Sequence, residues 1–350
     1  MEFVLTVRPP EAPSTIDFDP GALNAYLGRR LPDARGEMRL QRVGGGQSNP
    51  TYFVSFDNYR LVLRKQPSGE HPPGSHDVAR EYKALACLEG GEVPAPAPIL
   101  LETDRSVIGT AFYLMERIDG RIFYDHRLQQ VAGDQRRDIF LSMADALASV
   151  HTVEWRSTPL IDFVRPGSFL ERQIQRWAKS WADAVGEAQT QAAVVVEWLS
   201  ARRPDETSAL IHGDLKLSNV ICHAAEPRIL AILDWELFTI GDPMLDLAHT
   251  IVAIWRTRPD EYGGLLGCEL QAMGLPTEGE FLERYYAKAA RGPRLSTFHL
   301  VLAMLRLAGI FRGIGQRAKA GIAAAEGAAE TARLAEVYLA RAYGLVRAQP

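Results

Sequence analysis

The chain has 350 residues, 47% of them hydrophobic, with 39 Lys and Arg against 43 Asp and Glu. This is a globular composition, long enough for two lobes around a buried core. A net charge of -4 excludes a general nucleic-acid partner, because a phosphate backbone demands an excess of Lys and Arg. Cys87, Cys222 and Cys268 have no paired spacing, which suggests neither a disulfide framework nor a zinc site and fits a reducing, cytoplasmic setting. The N-terminus lacks the basic and then apolar pattern of an export signal. The longest apolar stretch, FHLVLAMLRLAGIF, is 14 residues and contains Arg306, so no membrane partner is expected.

Residues 1–37 are rich in Pro, Asp and Gly around a short helix near Ala22 to Arg30, and read as an N-terminal extension. The runs MRLQRV, TYFVSF and YRLVLRKQ, separated by GGGQSNP and DN, predict a three-stranded antiparallel meander. A helix follows, with Val78, Tyr82, Leu85 and Leu88 at helical spacing and Gly90-Gly91 as its stop. A Pro-rich link, VPAPAPIL, leads to a strand within GTAFYLMERIDG. Beyond it the pattern is mainly helical. Asp134 is expected to cap a helix running to His151, with Ile139, Met143, Leu147 and Val150 on its apolar face, and helical periodicity returns over 168–202 and 279–345. The exception is NVICHAAEPRILAILDWE, two strands around a turn. The expected fold is α+β, a small β-rich lobe over 38–118 before a larger helical lobe over 119–350.

The stretch LIHGDLKLSNVI, Leu210 to Ile221, concentrates functional groups between aliphatic flanks. An isolated Asp and Asn five residues apart most often make a turn. His212, and Asp234 following 15 residues after Asn219 at the end of the strand ILAIL, change that balance. Asp214 can then orient a substrate hydroxyl while Asn219 and Asp234 hold Mg2+, a hard cation that takes oxygen ligands and bridges phosphates. Lys216, if it is not simply a solvated charge, reaches the transferring phosphoryl group. His212 reads as a hydrogen-bonded framework residue. In GDPMLDLAH, Asp242 before Pro243 reads as an N-cap and Asp246, one turn later, as a brace for the catalytic loop.

The spacing His-x-Asp-x-x-x-x-Asn, then a strand and Asp, resembles the catalytic and metal-binding loops of the protein-kinase-like superfamily. Such a site needs nucleotide contacts from the small lobe. Gly45, Gly46, Gln47, Ser48 and Asn49 offer a loop whose backbone can approach the phosphates of ATP. Strand alternation puts Arg64 and Lys65 on opposite faces; Arg64 is the choice for the phosphates, with Lys65 in reserve, and Glu81 is its expected partner. Glu116 to Ile118 are expected to form the hinge that meets adenine. Other phosphate motifs fail: there is no Gly-Lys-[Ser/Thr], and GIGQRA at 313–318 follows a helical run instead of a strand.

Together HGDLKLSNV, ILDWE and GDPMLDLAH resemble the aminoglycoside phosphotransferase family, also called the choline/aminoglycoside kinase group. Only seven residues separate Asp234 from Asp242, too few for the activation segment of a protein kinase. Within the group, GGGQSNPTYFV, LVLRKQP and LRLAGIFRGIGQRAKAG are most similar to the kinase-like domain that precedes acyl-CoA dehydrogenase modules. That resemblance implies ATP- and Mg2+-dependent phosphorylation of a hydroxyacyl-CoA in 4-hydroxy acid catabolism, and a functional link to a separate acyl-CoA dehydrogenase. The residues agree with an anionic CoA thioester: from Arg284 to Lys319 there are eight basic residues and no acidic one. At helical spacing Arg306, Gly309, Gly313 and Arg317 share a face, and Arg306 and Arg317 are the expected contacts to CoA phosphates. The rival acceptors are an aminoglycoside, choline, homoserine or a sugar. A nucleotide-binding regulator without turnover is the rival of another class.

Overall fold

The computed structural model describes residues 16–44, 49–69, 76–289, 292–319 and 328–349. The predicted phosphate-loop residues Gly45, Gly46, Gln47 and Ser48 lie outside the described residues.

The chain opens with α1 (Pro20–Arg30), started by the Asp19 carboxylate, which accepts from the Gly21 backbone, and by Pro at the first helical position. The meander follows as β1 (Arg39–Arg42), β2 (Thr51–Ser55) and β3 (Arg60–Lys65), all antiparallel. After α2 (Val78–Leu88) come β4 (Pro98–Glu102) and β5 (Phe112–Glu116), giving a five-stranded sheet in the order β1-β2-β3-β5-β4. The Pro-rich link therefore ends in a strand. Its proline is the first residue of an edge strand, where no ladder hydrogen bond is lost.

Alternation divides the sheet into two apolar faces. Leu61 and Leu63 join Tyr52, Val54, Phe112 and Leu114 against Leu23, Tyr26 and Leu27 of α1, so residues 16–31 cover one face. Val62, Tyr113 and Met115 point the other way, toward α2 and the large lobe.

The large lobe contains α3 (Gly133–His151), α4 (Phe169–Lys179), α5 (Gly186–Ala201), α6 (Pro243–Trp255), the short α7 (Pro259–Tyr262), α8 (Glu278–Ala289), α9 (Thr297–Lys319) and α10 (Ala328–Arg347). The N-cap of α3 is Ala132, with no side-chain cap; Asp134 sits inside the first turn, where a carboxylate still favours the helix dipole. Every residue of α6 is buried. Helices α4, α5, α9 and α10 enclose a second apolar cluster around Trp177, Phe311 and Tyr338. Thr297–Ala318 is long and apolar enough to cross a membrane by length and composition, but 67% of that window is buried against the rest of the chain.

Two small ribbons position the site. β6 (Ala209–Ile211) pairs with β9 (Thr239–Gly241), and β7 (Val220–Cys222) pairs with β8 (Ile229–Ile232), all antiparallel. Residues 212–219 connect β6 to β7 and Leu233 to Phe238 connect β8 to β9, so both loops emerge beside the start of α6.

Candidate active site

Backbone constraints shape the 212–219 loop. Gly213 has φ +89, and a Cβ there would lie 2.9 Å from the Leu237 carbonyl oxygen, so both the turn and the close approach require glycine. Asp246, on the first turn of α6, accepts from the backbone N–H of His212 and of Gly213, each at 2.8 Å. His212 Nε2 contacts the Leu233 carbonyl at 2.9 Å, and Leu233 N–H donates to the Asn219 carbonyl at 2.8 Å, which locks the two loops together. Helix α6 itself starts on Asp242, whose carboxylate accepts from Met244 and Leu245.

Burial opposes ionisation of Asp246, but His151 and the His212 backbone more than offset it and hold the carboxyl down at about 2. The sign follows: Asp246 is more acidic folded than unfolded, so its stabilisation is complete above its ordinary value of 3.8 and fades as pH falls toward about 2. The full effect is about 2 kcal/mol. Asp246→Asn should remove this part of the acid limb in urea melts followed between roughly pH 5 and pH 2. An acid limb identical to that of the parent protein would contradict the assignment.

Asp214 lies at the centre of the loop's side chains. Lys216 Nζ is 2.9 Å from its Oδ2 and 3.2 Å from Oδ1; Asn219 Nδ2 donates to Oδ2 at 3.1 Å and to the Asp214 carbonyl at 2.8 Å. His249, on α6, brings Nε2 to 3.1 Å from Oδ1. Burial raises the carboxyl, yet Lys216 and His249 together hold it far below the usual carboxylate range, and Asp214 holds Lys216 protonated in return, against that residue's own burial. The Lys216 ammonium also stands 5.8 Å over the Tyr262 ring at the end of α7.

Across the cleft, Arg64 on β3 faces the large lobe. Its Nε is 3.1 Å from Glu81 Oε2 on α2, its Nη2 is 2.6 Å from Asp234 Oδ1, and Glu236 stands at 3.8 Å. Glu81 also accepts from Asn49 Nδ2 at 2.7 Å and from the Tyr113 hydroxyl at 3.1 Å, so the Asn49 side chain is committed to the Arg64 partner. Lys65 is fully buried on the opposite face against Asp17, at 2.7 Å, and does not enter the cleft. Glu116 ends β5, opposite Leu61, with its N–H on the Ala97 carbonyl, and Ile118 follows just past the strand.

The basic helix face predicted on α9 is not built as expected. Arg306 is half-buried and donates to the Gly213 carbonyl at 2.5 Å, behind the 212–219 loop, whereas Arg317 is exposed. Gly309 between them packs on α4: a Cβ there would lie 2.6 Å from the Trp177 ring. Its small size therefore serves helix packing instead of the close approach of CoA.

The residues that suit a divalent ion pass a simple test of donor chemistry. Asn219 spends its amide nitrogen on Asp214, which leaves its carbonyl oxygen, and Asp234 gives one oxygen to Arg64, which leaves the other. Among the described residues no group of three or more His, Cys, Asp or Glu is arranged to hold a metal. Two hard oxygen donors without a full protein cage suit Mg2+, which completes its shell from phosphates and water.

A model of the phosphotransferase enzyme family matches residues 39–289, which include all of these groups from Asn49 to Asp246. The chain belongs to that family. It is built on the two-lobed kinase-like fold. It is 31% identical, with a TM-score of 0.84, to a solved structure from Ralstonia eutropha JMP134 assigned to the aminoglycoside phosphotransferases, over 94% of this chain and 98% of that one. Choline kinase from Cryptosporidium parvum shares the fold, with a TM-score of 0.64 at 13% identity over 94% and 96% of the two chains. Mouse acyl-CoA dehydrogenase family member 11 is 36% identical over 310 residues, 86% of this chain but only 40% of that protein's length.

Two residues beside the 212–219 loop were missed or misread from sequence. His249 lies three residues after Asp246 and so on the same side of α6, a spacing that marks it as a second group facing the loop. Arg306, the lone charge between His299 and Phe311, carried the opposite message: a guanidinium in an apolar run is there for a buried acceptor.

Proposed function

We propose that this phosphotransferase moves the γ-phosphoryl group of ATP to the hydroxyl of a hydroxyacyl-CoA, with Mg2+ as the required ion. The observation that carries the reading is the side-by-side arrangement of an ionised Asp214, ringed by Lys216, His249 and Asn219, and the Arg64–Asp234 bond joining the lobes. Asp214 orients the acceptor hydroxyl and takes up its proton as the new O–P bond forms and the bond from the γ-phosphorus to the bridging oxygen breaks, releasing ADP. Lys216 offsets negative charge on the transferred group, and Arg64, fixed by Glu81, meets the ATP phosphates. Asn219 and Asp234 would hold Mg2+, which when bound supplies charge neutralisation between the phosphates. Residues around Gly45 to Asn49 cover the phosphates, and Glu116 to Ile118 provide the adenine edge.

The acceptor class is supported by the similarity to the acyl-CoA dehydrogenase family member, and an acyl-CoA dehydrogenase acting on the product's acyl chain is the matching functional partner. ADP release across 4-hydroxyacyl-CoAs, an aminoglycoside, choline, homoserine and sugars tests the proposal. Turnover with hydroxyacyl-CoA at a kcat/KM at least roughly 100-fold above the others is expected, since a site built for one polar group pattern rejects molecules that leave it unpaired. Turnover with another acceptor and none with any hydroxyacyl-CoA would overturn it.

A further inference from the structure

We infer that His249 is a positioning residue for phosphoryl transfer, a neutral imidazole whose Nε2–H fixes one carboxylate oxygen of Asp214. The inference rests on the reading of Asp214 as the group that meets the acceptor hydroxyl, and it holds for any alcohol acceptor.

The protonation of the ring follows from its partner. An ionised carboxylate only accepts, so the nitrogen 3.1 Å from Asp214 Oδ1 must carry the hydrogen. The other nitrogen, Nδ1, is buried with no hydrogen-bond partner, which makes it a bare lone pair. A second proton there is disfavoured by burial first and then by the Arg306 guanidinium, with Lys216 acting in the same direction and Asp214 opposing. The ring thus stays uncharged between two cations.

Geometry gives this neutral donor a task. Lys216 touches both oxygens of Asp214 at 2.9 and 3.2 Å, and a single ammonium straddling a carboxylate leaves it free to swing about its own axis. Asn219 Nδ2 holds Oδ2 and His249 Nε2 holds Oδ1, so the two oxygens are pinned separately. A cation in place of His249 would pin Oδ1 equally well but would lower the basicity of Asp214 further. A core residue chosen for packing alone would be apolar, as most of α6 is. An imidazole with one nitrogen unpartnered in a buried helix costs stability, and the contact to Asp214 is what offsets it.

Two measurements test this. In a double-mutant cycle, His249→Ala should lower kcat roughly 10-fold with the KM for ATP within about 2-fold, and His249→Gln, which keeps a neutral N–H donor near the Nε2 place, should recover most of the rate. In an Asp214→Asn background, His249→Ala should change kcat by less than about 2-fold, because its effect passes through Asp214. An equal loss in both backgrounds, or a loss confined to the KM for ATP, would overturn the inference. If His249→Ala does not fold, His249→Leu, which fills the space and removes the donor, carries the same cycle. The second measurement needs no acceptor: long-range nitrogen-15 NMR of the wild-type protein near neutral pH should show His249 as the neutral Nε2–H tautomer. An imidazolium or an Nδ1–H tautomer would overturn the inference even if the acceptor class is misassigned.

Discussion

Asp214→Ala is expected to reduce turnover roughly 10²–10⁴-fold while the protein still binds ATP, because the substitution removes a positioned base and leaves the Arg64 side of the cleft intact. The side chain meets three donors, Lys216, Asn219 and His249, and none of them touches Arg64 or Glu81. Removing it also strands the half-buried Lys216 ammonium beside His249, so some loss of stability accompanies the loss of rate. Asp214→Asn keeps the volume and isolates the chemical effect. ADP release under saturating ATP measures the rate, and nucleotide-dependent thermal stabilisation measures binding. A rate within a few-fold of the parent protein would reject the role of Asp214.

Arg64→Met is expected to do the converse, abolishing nucleotide-dependent stabilisation and destabilising the free protein. Glu81 is 1% exposed and keeps its bonds to Asn49 and Tyr113 but loses the opposing charge. Burial already pushes its carboxyl up, to about 7, against the pull of Arg64, so without the guanidinium the residue moves further toward the protonated form. Removing one partner of a buried pair costs about 3 kcal/mol, which corresponds to a fall of roughly 5 °C in Tm for a chain of this size. Asp234 loses its cross-lobe partner at the same time. Differential scanning calorimetry with and without Mg-ATP reads both effects. An Arg64→Met protein that melts as the parent does and is still stabilised by nucleotide would refute this account of the cleft.

The parts of the site that were legible in the sequence are those set by local geometry. Period-two alternation on β3 was enough to send Arg64 and Lys65 to opposite faces, and the structure pairs the first with Glu81 and buries the second against Asp17. The signature Asp-Pro start of α6 placed Asp242 and, one turn on, Asp246 against the loop backbone. What was not legible depends on partners far away in the chain. Periodicity put Arg306 and Arg317 on one face of α9 but said nothing of what lay opposite. Gly213, 93 positions earlier, takes the first, while the second faces solvent. The strand β4 was hidden because Pro98, following Pro94 and Pro96, looks like part of a linker until its place at the start of an edge strand removes its cost. His249 was hidden by its apolar neighbours, which made the helix read as core.

Arg306 has one more consequence, which concerns the chain before it folds. It lies near the middle of Thr297–Ala318, the described segment that matches a bilayer span in length and hydropathy. A guanidinium at such a depth disfavours insertion into lipid by about 2.5–3.5 kcal/mol. The side chain that braces the Gly213 carbonyl in the finished protein therefore also weakens the claim of the nascent helix on a membrane. Arg306→Leu would remove both restraints at once, a loosened loop and a stickier newborn segment arising from a single codon.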